Sequence, residues 1–418
     1  MFFKPQTTIN LAKSLTRIGN NPAYVQFYIT SRCNLTCKQC NIIYANASVR
    51  EATTDEIRAI AKNLAEIGTG IVLLTGGEPF LRKDLPEIVS AFVQEGVHVR
   101  TQTNGVATRD QLEAVVAAGA KDISISLDSL SGGRQDFLNG SYRESWQRAI
   151  KTISLVTQTY PEKGGFAAFG TVLSPQNILE IPNIIRFASA IGWYVSLVPA
   201  HIADPATAHN FRSYDREMIF PPAHYPVVEE ILDECLALKR AGALLYDSGE
   251  YIQNMKDFIT QKPLRWRRRN QGRCDSPELY FAIRPNGDIQ PCCDHVLEQS
   301  YPTWHADFPD WYRQREIHKA VHPYTEMCSG CMYGSYPEIS ITSHFPWTAV
   351  ERLSVFWKTR ESKSWPLSES DLYSIIDRIN SDHPVDTTRA SAIVEDVGRH
   401  ADVTSPFIPI QISPPRRP

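Results

Sequence analysis

The 418-residue chain has no run of 18 or more consecutive apolar residues, which excludes a helical membrane span. Residues 1–8, MFFKPQTT, lack the apolar stretch of a secretory signal, so a cytoplasmic location is expected. No strong charge of either sign is present. Lys and Arg number 43 against 46 Asp and Glu, a net −3, so neither nucleic acid nor an anionic membrane is an expected partner. No cysteine lies between Cys40 and Cys235, and none follows Cys331. The nine cysteines are therefore clustered: three at 33, 37 and 40, and five from 274 to 331. In a reducing compartment such clusters read as metal ligands or catalytic groups rather than disulfides. Cys235 stands apart inside a helical pattern and reads as a small buried hydrophobe.

A hydrophobic content of 42% is ample for a folded interior, and the length suits a large α/β domain with an appended module. Short runs rich in β-branched and aromatic residues predict strands at 25–31, 71–77, 98–104, 122–128, 166–174 and 193–200. Between them apolar residues recur every three or four positions, as in Ile57, Ile60, Ala61, Leu64 and Ile67. Thr53 with Glu56, and Thr108 with Gln111, have the spacing of helix capping boxes. Six βα units are too few for a closed eight-unit barrel. The expected fold is α/β, a partial (β/α)6 TIM-like barrel whose chemistry sits at the C-terminal ends of its strands.

The expected organisation is a lead-in over 1–23, the barrel over 24–223, a helical connection over 224–264, a cysteine-rich module over 265–340, a helical extension over 341–385 and a disordered tail over 386–418. Residues 201–224 show no clear period and read as a long loop.

Cys33, Cys37 and Cys40 form C-x3-C-x2-C directly after the first predicted strand. Three soft thiolates suit a [4Fe–4S] cluster with one iron left open, whereas structural zinc favours four ligands and paired C-x2-C spacings. In this spacing and position the chain resembles the radical S-adenosylmethionine (SAM) superfamily. The resemblance implies that the open iron binds SAM. One electron, from a donor such as flavodoxin or ferredoxin, would cleave SAM to methionine and a 5′-deoxyadenosyl radical, which takes a hydrogen atom from the substrate.

Further strand-end residues fall in the family's order. Gly76–Gly77–Glu78–Pro79 resembles the motif that holds the amino group of SAM, and read alone it is a glycine turn. Thr103–Asn104–Gly105 resembles the family's TNG, and read alone it is an Asn-Gly turn. Ser126 and Asp128 share side-chain parity at the fourth strand's end and resemble its ribose-contacting strand, with Asp128 also suited to capping the next loop. The resemblance thus implies cofactor contacts from Gly76, Gly77, Glu78, Pro79, Asn104, Ser126 and Asp128.

The later cysteines supply C-x12-G-x4-C, from Cys274 through Gly287 to Cys292, and C-x2-C at Cys328 and Cys331. Four thiolates close a site completely. The spacing resembles the Twitch module, the shortened relative of the SPASM domain, which implies one auxiliary [4Fe–4S] cluster; a zinc site is the alternative. Cys293, beside Cys292, reads first as packing and second as an alternative ligand or a hydrogen-atom donor.

Arginines at 265, 267, 268, 269 and 273 read as a solvated basic linker or as a contact for an acidic partner. Trp304, Trp311 and Tyr312 read as packing, and His201 and His209 receive no role. Superfamily members with such modules modify ribosomally made peptides or act on small molecules such as sugars and cyclitols. Peptide modification by crosslinking, epimerisation or splicing is the favoured expectation. Only about twenty residues precede the first strand, too few for a leader-recognition domain, so a separate leader-binding protein is the expected partner. The alternatives are radical dehydrogenation or epimerisation of a small molecule, and a non-catalytic iron–sulfur or zinc protein.

Overall fold

The computed structural model describes residues 3–40, 48–201, 216–269, 271–328, 330–358 and 363–403. Six parallel strands lie in chain order: β1 (Tyr24–Thr30), β2 (Ile71–Gly76), β3 (His98–Thr103), β4 (Asp122–Ser126), β5 (Phe166–Leu173) and β6 (Tyr194–Pro199). A helix α1 (Pro5–Leu15) precedes them. Between or after the strands run α2 (Thr54–Glu66), α3 (Leu85–Gln94), α4 (Arg109–Ala117), α5 (Gly132–Leu138), α6 (Ser145–Thr159), α7 (Ile181–Ala190) and α8 (Tyr225–Arg240). Both expected capping boxes form, at Thr53 with Glu56 and at Thr108 with Gln111.

The side-chain alternation of the strands makes the interior. Val25, Phe27 and Ile29 of β1, Val72 and Leu74 of β2, and Ile123 and Ile125 of β4 point outward into the core beneath the helices. The opposite set, including Gln26, Thr75, Gln102, Ser124 and Ser196, borders an interior cavity. Parallel strands are commonly apolar on both faces. Here the inner face mixes polar side chains with Tyr24, Tyr28, Leu73 and Phe166 and, at Ala168 and Gly170, is too small to fill the lumen, so a cavity of about 360 Å³ remains.

The sheet continues past β1. Strand β7 (Tyr280–Ile283) pairs parallel with β1, and β8 (Ile289–Gln290) pairs antiparallel with β7. The later cysteines are thereby tied to the barrel edge nearest Cys33. Cys274 precedes β7, Cys292 and Cys293 follow β8, and Cys328 and Cys331 follow helices α11 (Phe308–Arg313) and α12 (Glu316–Met327), which are preceded in the chain by α9 (Gly249–Ile259) and α10 (Arg265–Arg269).

Helices α13 (Ser335–His344), α14 (Pro346–Lys358) and α15 (Glu369–Asp382) come next. The expected disorder from 386 onward is corrected: Thr387–Val403 is a helix, α16. Asp386 accepts a hydrogen bond from the Arg389 amide (2.9 Å), and Ala390, Ile393 and Val397 are buried along one face. Ion pairs from Arg389 to Glu230 (2.6 Å) and from His224 to Asp396 (2.8 Å) fasten it to the start of α8. Residues 404–418 lie outside the described residues, as does most of the expected 201–224 loop. Among the described residues no helix is long and apolar enough to cross a membrane.

Candidate active site

The loop of Cys33, Cys37 and Cys40 leaves the C-terminal end of β1 and is clamped from two sides. On one side the glycine turn after β2 is zipped to its lead-in: the Gly77 amide donates to the Thr30 carbonyl and the Glu78 amide to the Arg32 carbonyl, each at 2.8 Å. A Cβ on Gly76 would fall 2.2 Å from the Thr30 oxygen, so only glycine fits this approach, and its φ of +141° also favours glycine. On the other side the Lys38 amide donates to the Leu138 carbonyl at the end of α5 (2.8 Å), and the Cys37 thiol donates to Asn139 Oδ1 (3.5 Å). Glu51 fixes the far end of the loop, accepting from Thr30 Oγ1 (2.5 Å) and from both sides of the Arg32 guanidinium (2.9 and 2.8 Å).

All three cysteines line the barrel cavity, together with Gly76, Gly77, Pro79, Asn104, Ser126 and Asp128. Glu78 is different. It is fully buried behind the wall and accepts from the Phe80 amide (3.0 Å), Thr103 Oγ1 (3.0 Å) and the Asn104 amide (2.7 Å). Its carboxylate locks the end of β2 to the end of β3, and the backbone of the two glycines faces the cavity. Burial pushes the Glu78 carboxyl up to about 7, against the pull of those three donors. Asp128 accepts from Gln39 Nε2 (2.6 Å) in the cysteine loop and from the Val172 amide (2.7 Å), and burial raises it to about 7 as well.

The donor set suits an iron–sulfur cluster with a cofactor beside it. The three ligand-type groups on this wall are thiols. Burial pushes Cys33 and Cys37 up, and each is raised further by neighbouring thiolate charge, so iron would draw off their protons. Two buried polar atoms next to the triad, Gln39 Oε1 and Asn104 Oδ1, have no partner among the described residues. Asn104 Nδ2 donates to Asn34 Oδ1 (2.9 Å) and lies 3.7 Å from the Cys33 sulfur, which holds that orphaned oxygen at the cavity. Among the described residues no three His, Cys, Asp or Glu side chains converge on a single ion position.

The later cysteines form a second group on the other side of β1. Burial pushes Cys274 up to about 12, with added repulsion from Cys292 and Cys328. Cys331 feels Cys328 and Cys292 in the same way. Of the five, only Cys293 lines the barrel cavity. It is buried and hydrogen-bonded to Cys292 and Asp294, and Asp294 also accepts from Tyr333 Oη (3.1 Å). Gly287, counted in the C-x12-G-x4-C spacing, has φ +89°, and a Cβ there would fall 2.6 Å from Trp304.

Two groups acquire roles that the sequence did not announce. Arg267, expected in a solvated linker, is buried. It donates to the carbonyls of Cys328 and Gly272 and to that of Thr325 (3.4 Å), so it braces the last cysteine loop. His201 lies on the cavity wall, stacked 3.7 Å from the Tyr333 ring. Its Nδ1–H donates to the Pro199 carbonyl (2.7 Å) and its Nε2 accepts from the Met332 amide (2.9 Å). Burial lowers its pKa to about 3, so it is neutral and joins the end of β6 to the segment after Cys331. Cys235 is buried in α8, as expected. Tyr312 is buried and donates to the Pro277 carbonyl (2.9 Å), while His209 lies outside the described residues.

Residues 27–188 match the family model of the Radical SAM superfamily. A PqqA peptide cyclase of Bradyrhizobium diazoefficiens is 29% identical over 289 residues, 66% of this chain and 67% of that protein. An AdoMet-dependent heme synthase of Methanosarcina barkeri is 28% identical over 204 residues, 47% of this chain and 57% of that protein. In fold, the chain resembles Streptococcus suis SuiB bound to its precursor peptide SuiA, with a TM-score of 0.55, 18% identity, and coverage of 80% of this chain and 77% of that one.

Proposed function

We propose that this chain, an enzyme of the radical SAM superfamily, modifies a ribosomally synthesised peptide by hydrogen-atom abstraction inside the barrel. The carrying observation is one cavity whose wall joins Cys33, Cys37 and Cys40 to the Gly76–Gly77 backbone, Asn104, Ser126 and Asp128. Cys33, Cys37 and Cys40 would hold a [4Fe–4S] cluster, and the strand-end residues would hold SAM. When bound, these supply a 5′-deoxyadenosyl radical that removes a hydrogen atom from the substrate.

The protein's own part is placement. Glu78 holds the ends of β2 and β3 in register, so that the glycine backbone and Asn104 face the same space. Gln39 and Asp128 tie the cysteine loop to the end of β4. Neutral His201 and Tyr333 close the opposite wall. Cys274, Cys292, Cys328 and Cys331 would hold an auxiliary [4Fe–4S] cluster, with Arg267 bracing their loop. A flavodoxin or ferredoxin would supply the electron, and a separate leader-binding protein would present the peptide. The peptide cyclase and SuiB support a peptide substrate by what they themselves act on or bind.

The test is anaerobic reconstitution followed by reaction with SAM, a reductant and candidate precursor peptides. About eight irons per chain, 5′-deoxyadenosine, and a peptide altered in mass or in deuterium content are expected. Alanine at Cys33, Cys37 and Cys40 together should abolish 5′-deoxyadenosine and leave about four irons. Cleavage that survives this change would place the reactive cluster elsewhere.

A further inference from the structure

The barrel cavity does not stop at the residues near the triad. It runs down the inner face of the strands, past Gln102, Thr75 and Ser124, to Arg100 near the start of β3. Arg100 lies four residues before Asn104, about 13 Å along the strand at 3.3 Å per residue. It is only 8% exposed, yet it forms part of the cavity wall.

Its guanidinium is only partly used by the fold. Nε donates to Asp122 Oδ2 (3.2 Å) and Nη1 donates to Tyr246 Oη (3.0 Å). Nη2 is buried and has no partner among the described residues. The Asp122 carboxylate is shared with His98 Nε2 (2.8 Å) and the Phe166 amide (3.2 Å), so its capacity is committed to the framework. The guanidinium lies 4.8 Å from the Phe166 ring centroid and 5.5 Å from that of Tyr246. Arg352 sits 4.0 Å from the Tyr246 ring and also donates to its hydroxyl. Two cations thus bracket one tyrosine at the cavity floor.

A buried guanidinium N–H left without an acceptor is costly, and no group among the described residues takes it. The planar fork of arginine matches the two oxygens of a carboxylate. Above it Thr75, Gln102, Ser124 and Gly170 leave open space between larger wall residues such as Tyr28 and Leu73, so the cavity is continuous from Arg100 to the cysteines. We propose that Arg100 is a substrate-carboxylate subsite at the floor of the barrel. It would select substrates that carry an acidic group on the order of 10 Å from the hydrogen removed, given the strand rise between Arg100 and Asn104. The acid is either an Asp or Glu side chain or a chain-terminal carboxylate. The inference rests on the cavity being the substrate site, which belongs to the proposed function.

Binding is measured by titration calorimetry on the cluster-loaded full chain without reductant, using glutarate and its uncharged analogue glutaramide. Glutarate should bind, and glutaramide should bind about ten-fold more weakly or not at all. Because R100Q alone strands Asp122 in the interior, the variant is R100Q/D122N, which keeps the charge balance. It should weaken glutarate about ten-fold against both the wild type and D122N, the control that alters the same Asp122 contacts to His98 and the Phe166 amide but keeps Arg100, with a thermal midpoint near that of D122N. An acetylated Gly-Glu-Gly amide and an acetylated Gly-Gly-Gly with a free terminus then distinguish the two sources, through whichever loses affinity in the variant. Equal glutarate affinity in wild type and variant, equal binding of glutaramide, or no glutarate binding to the wild type would each overturn the subsite. Arg100-dependent binding with no SAM cleavage would instead sink the proposed reaction and leave the subsite standing.

Discussion

A Cβ on Gly77 would lie 2.1 Å from the carbonyl oxygen of Arg32. The obstacle is backbone, so no side-chain rotation relieves it, and the glycine turn and the cysteine loop can approach only without a side chain here. Gly77→Ala should therefore push the turn away from the lead-in to Cys33. We expect a loss of about 1–3 kcal/mol of stability, as for overpacking, with weaker SAM binding and lower iron content. Gly133→Ala is the control. A Cβ at Gly133 meets nothing within 4 Å, and its position in α5 favours alanine. Thermal melts and SAM titration compare the two. A Gly77→Ala protein that binds SAM like wild type would show that the turn is not held by this contact.

Glu338 predicts the pH response. It is buried on α13, accepts from the Ser248 amide and hydroxyl (3.3 Å each), and lies 3.5 Å from Arg352. Burial pushes its carboxyl from 4.5 up to about 7, Arg352 draws it back and Asp247 adds to the rise. The folded state therefore holds a proton that the unfolded chain has released. This contribution is full below about pH 4.5 and is lost as pH rises through 7, on the order of 3 kcal/mol in all. Asp247, raised to about 6, acts in the same direction. Glu338→Gln should flatten the fall in urea stability between pH 4.5 and 7.5, while D247N should keep most of the Glu338 part, reduced by the loss of the Asp247 charge that adds to its rise. An unchanged slope in Glu338→Gln would exclude this group as the source.

The parts of the fold set by short-range spacing were legible in the sequence. The six strands, both capping boxes and the order of the strand-end residues each depend on neighbours within a few positions. The parts set by distant partners were not. Arg267 looks like its arginine neighbours until the Cys328 carbonyl, 61 residues later, is placed beside it. His201 has no local pattern, because its partners are Pro199 and the far segment at Met332 and Tyr333. The pairing of β7 with β1 was hidden by a strand only four residues long inside a cysteine-rich stretch. Helix α16 is another matter. Asp386 as cap and Ala390, Ile393 and Val397 at helical spacing were readable signals, outweighed by the proline- and arginine-rich end that follows.

Arg267 leads to a separable effect on the two cysteine groups. Arg267→Met leaves the carbonyls of Cys328, Gly272 and Thr325 without their buried donor. The expected cost is about 2–4 kcal/mol, concentrated in the last cysteine loop. Iron should fall from about eight to about four per chain, with 5′-deoxyadenosine formation retained. Arg267→Lys restores the charge but not the fork and should recover only part of the iron. Full iron content in Arg267→Met would mean that the loop stands without its brace.

Cys292 and Cys293 are adjacent in sequence, yet only Cys293 lines the barrel cavity, while Cys292 adds its charge to Cys274, Cys328 and Cys331. The two serine variants should therefore part company. Cys292→Ser removes the thiol that acts on Cys274, Cys328 and Cys331 alike and should cost about four irons per chain, with the spectrum of the second cluster lost. Cys293→Ser should keep the iron and the cleavage of SAM, since its thiol lines the barrel cavity and bonds to Asp294. Its measurable consequence belongs to the substrate: the cavity wall exchanges a weak S–H bond for a strong O–H bond, so any product that needs a hydrogen atom returned from this wall should fall without loss of 5′-deoxyadenosine. Iron analysis and product mass spectrometry on the two variants read both effects at once. Loss of iron in Cys293→Ser, with retention in Cys292→Ser, would exchange the two assignments.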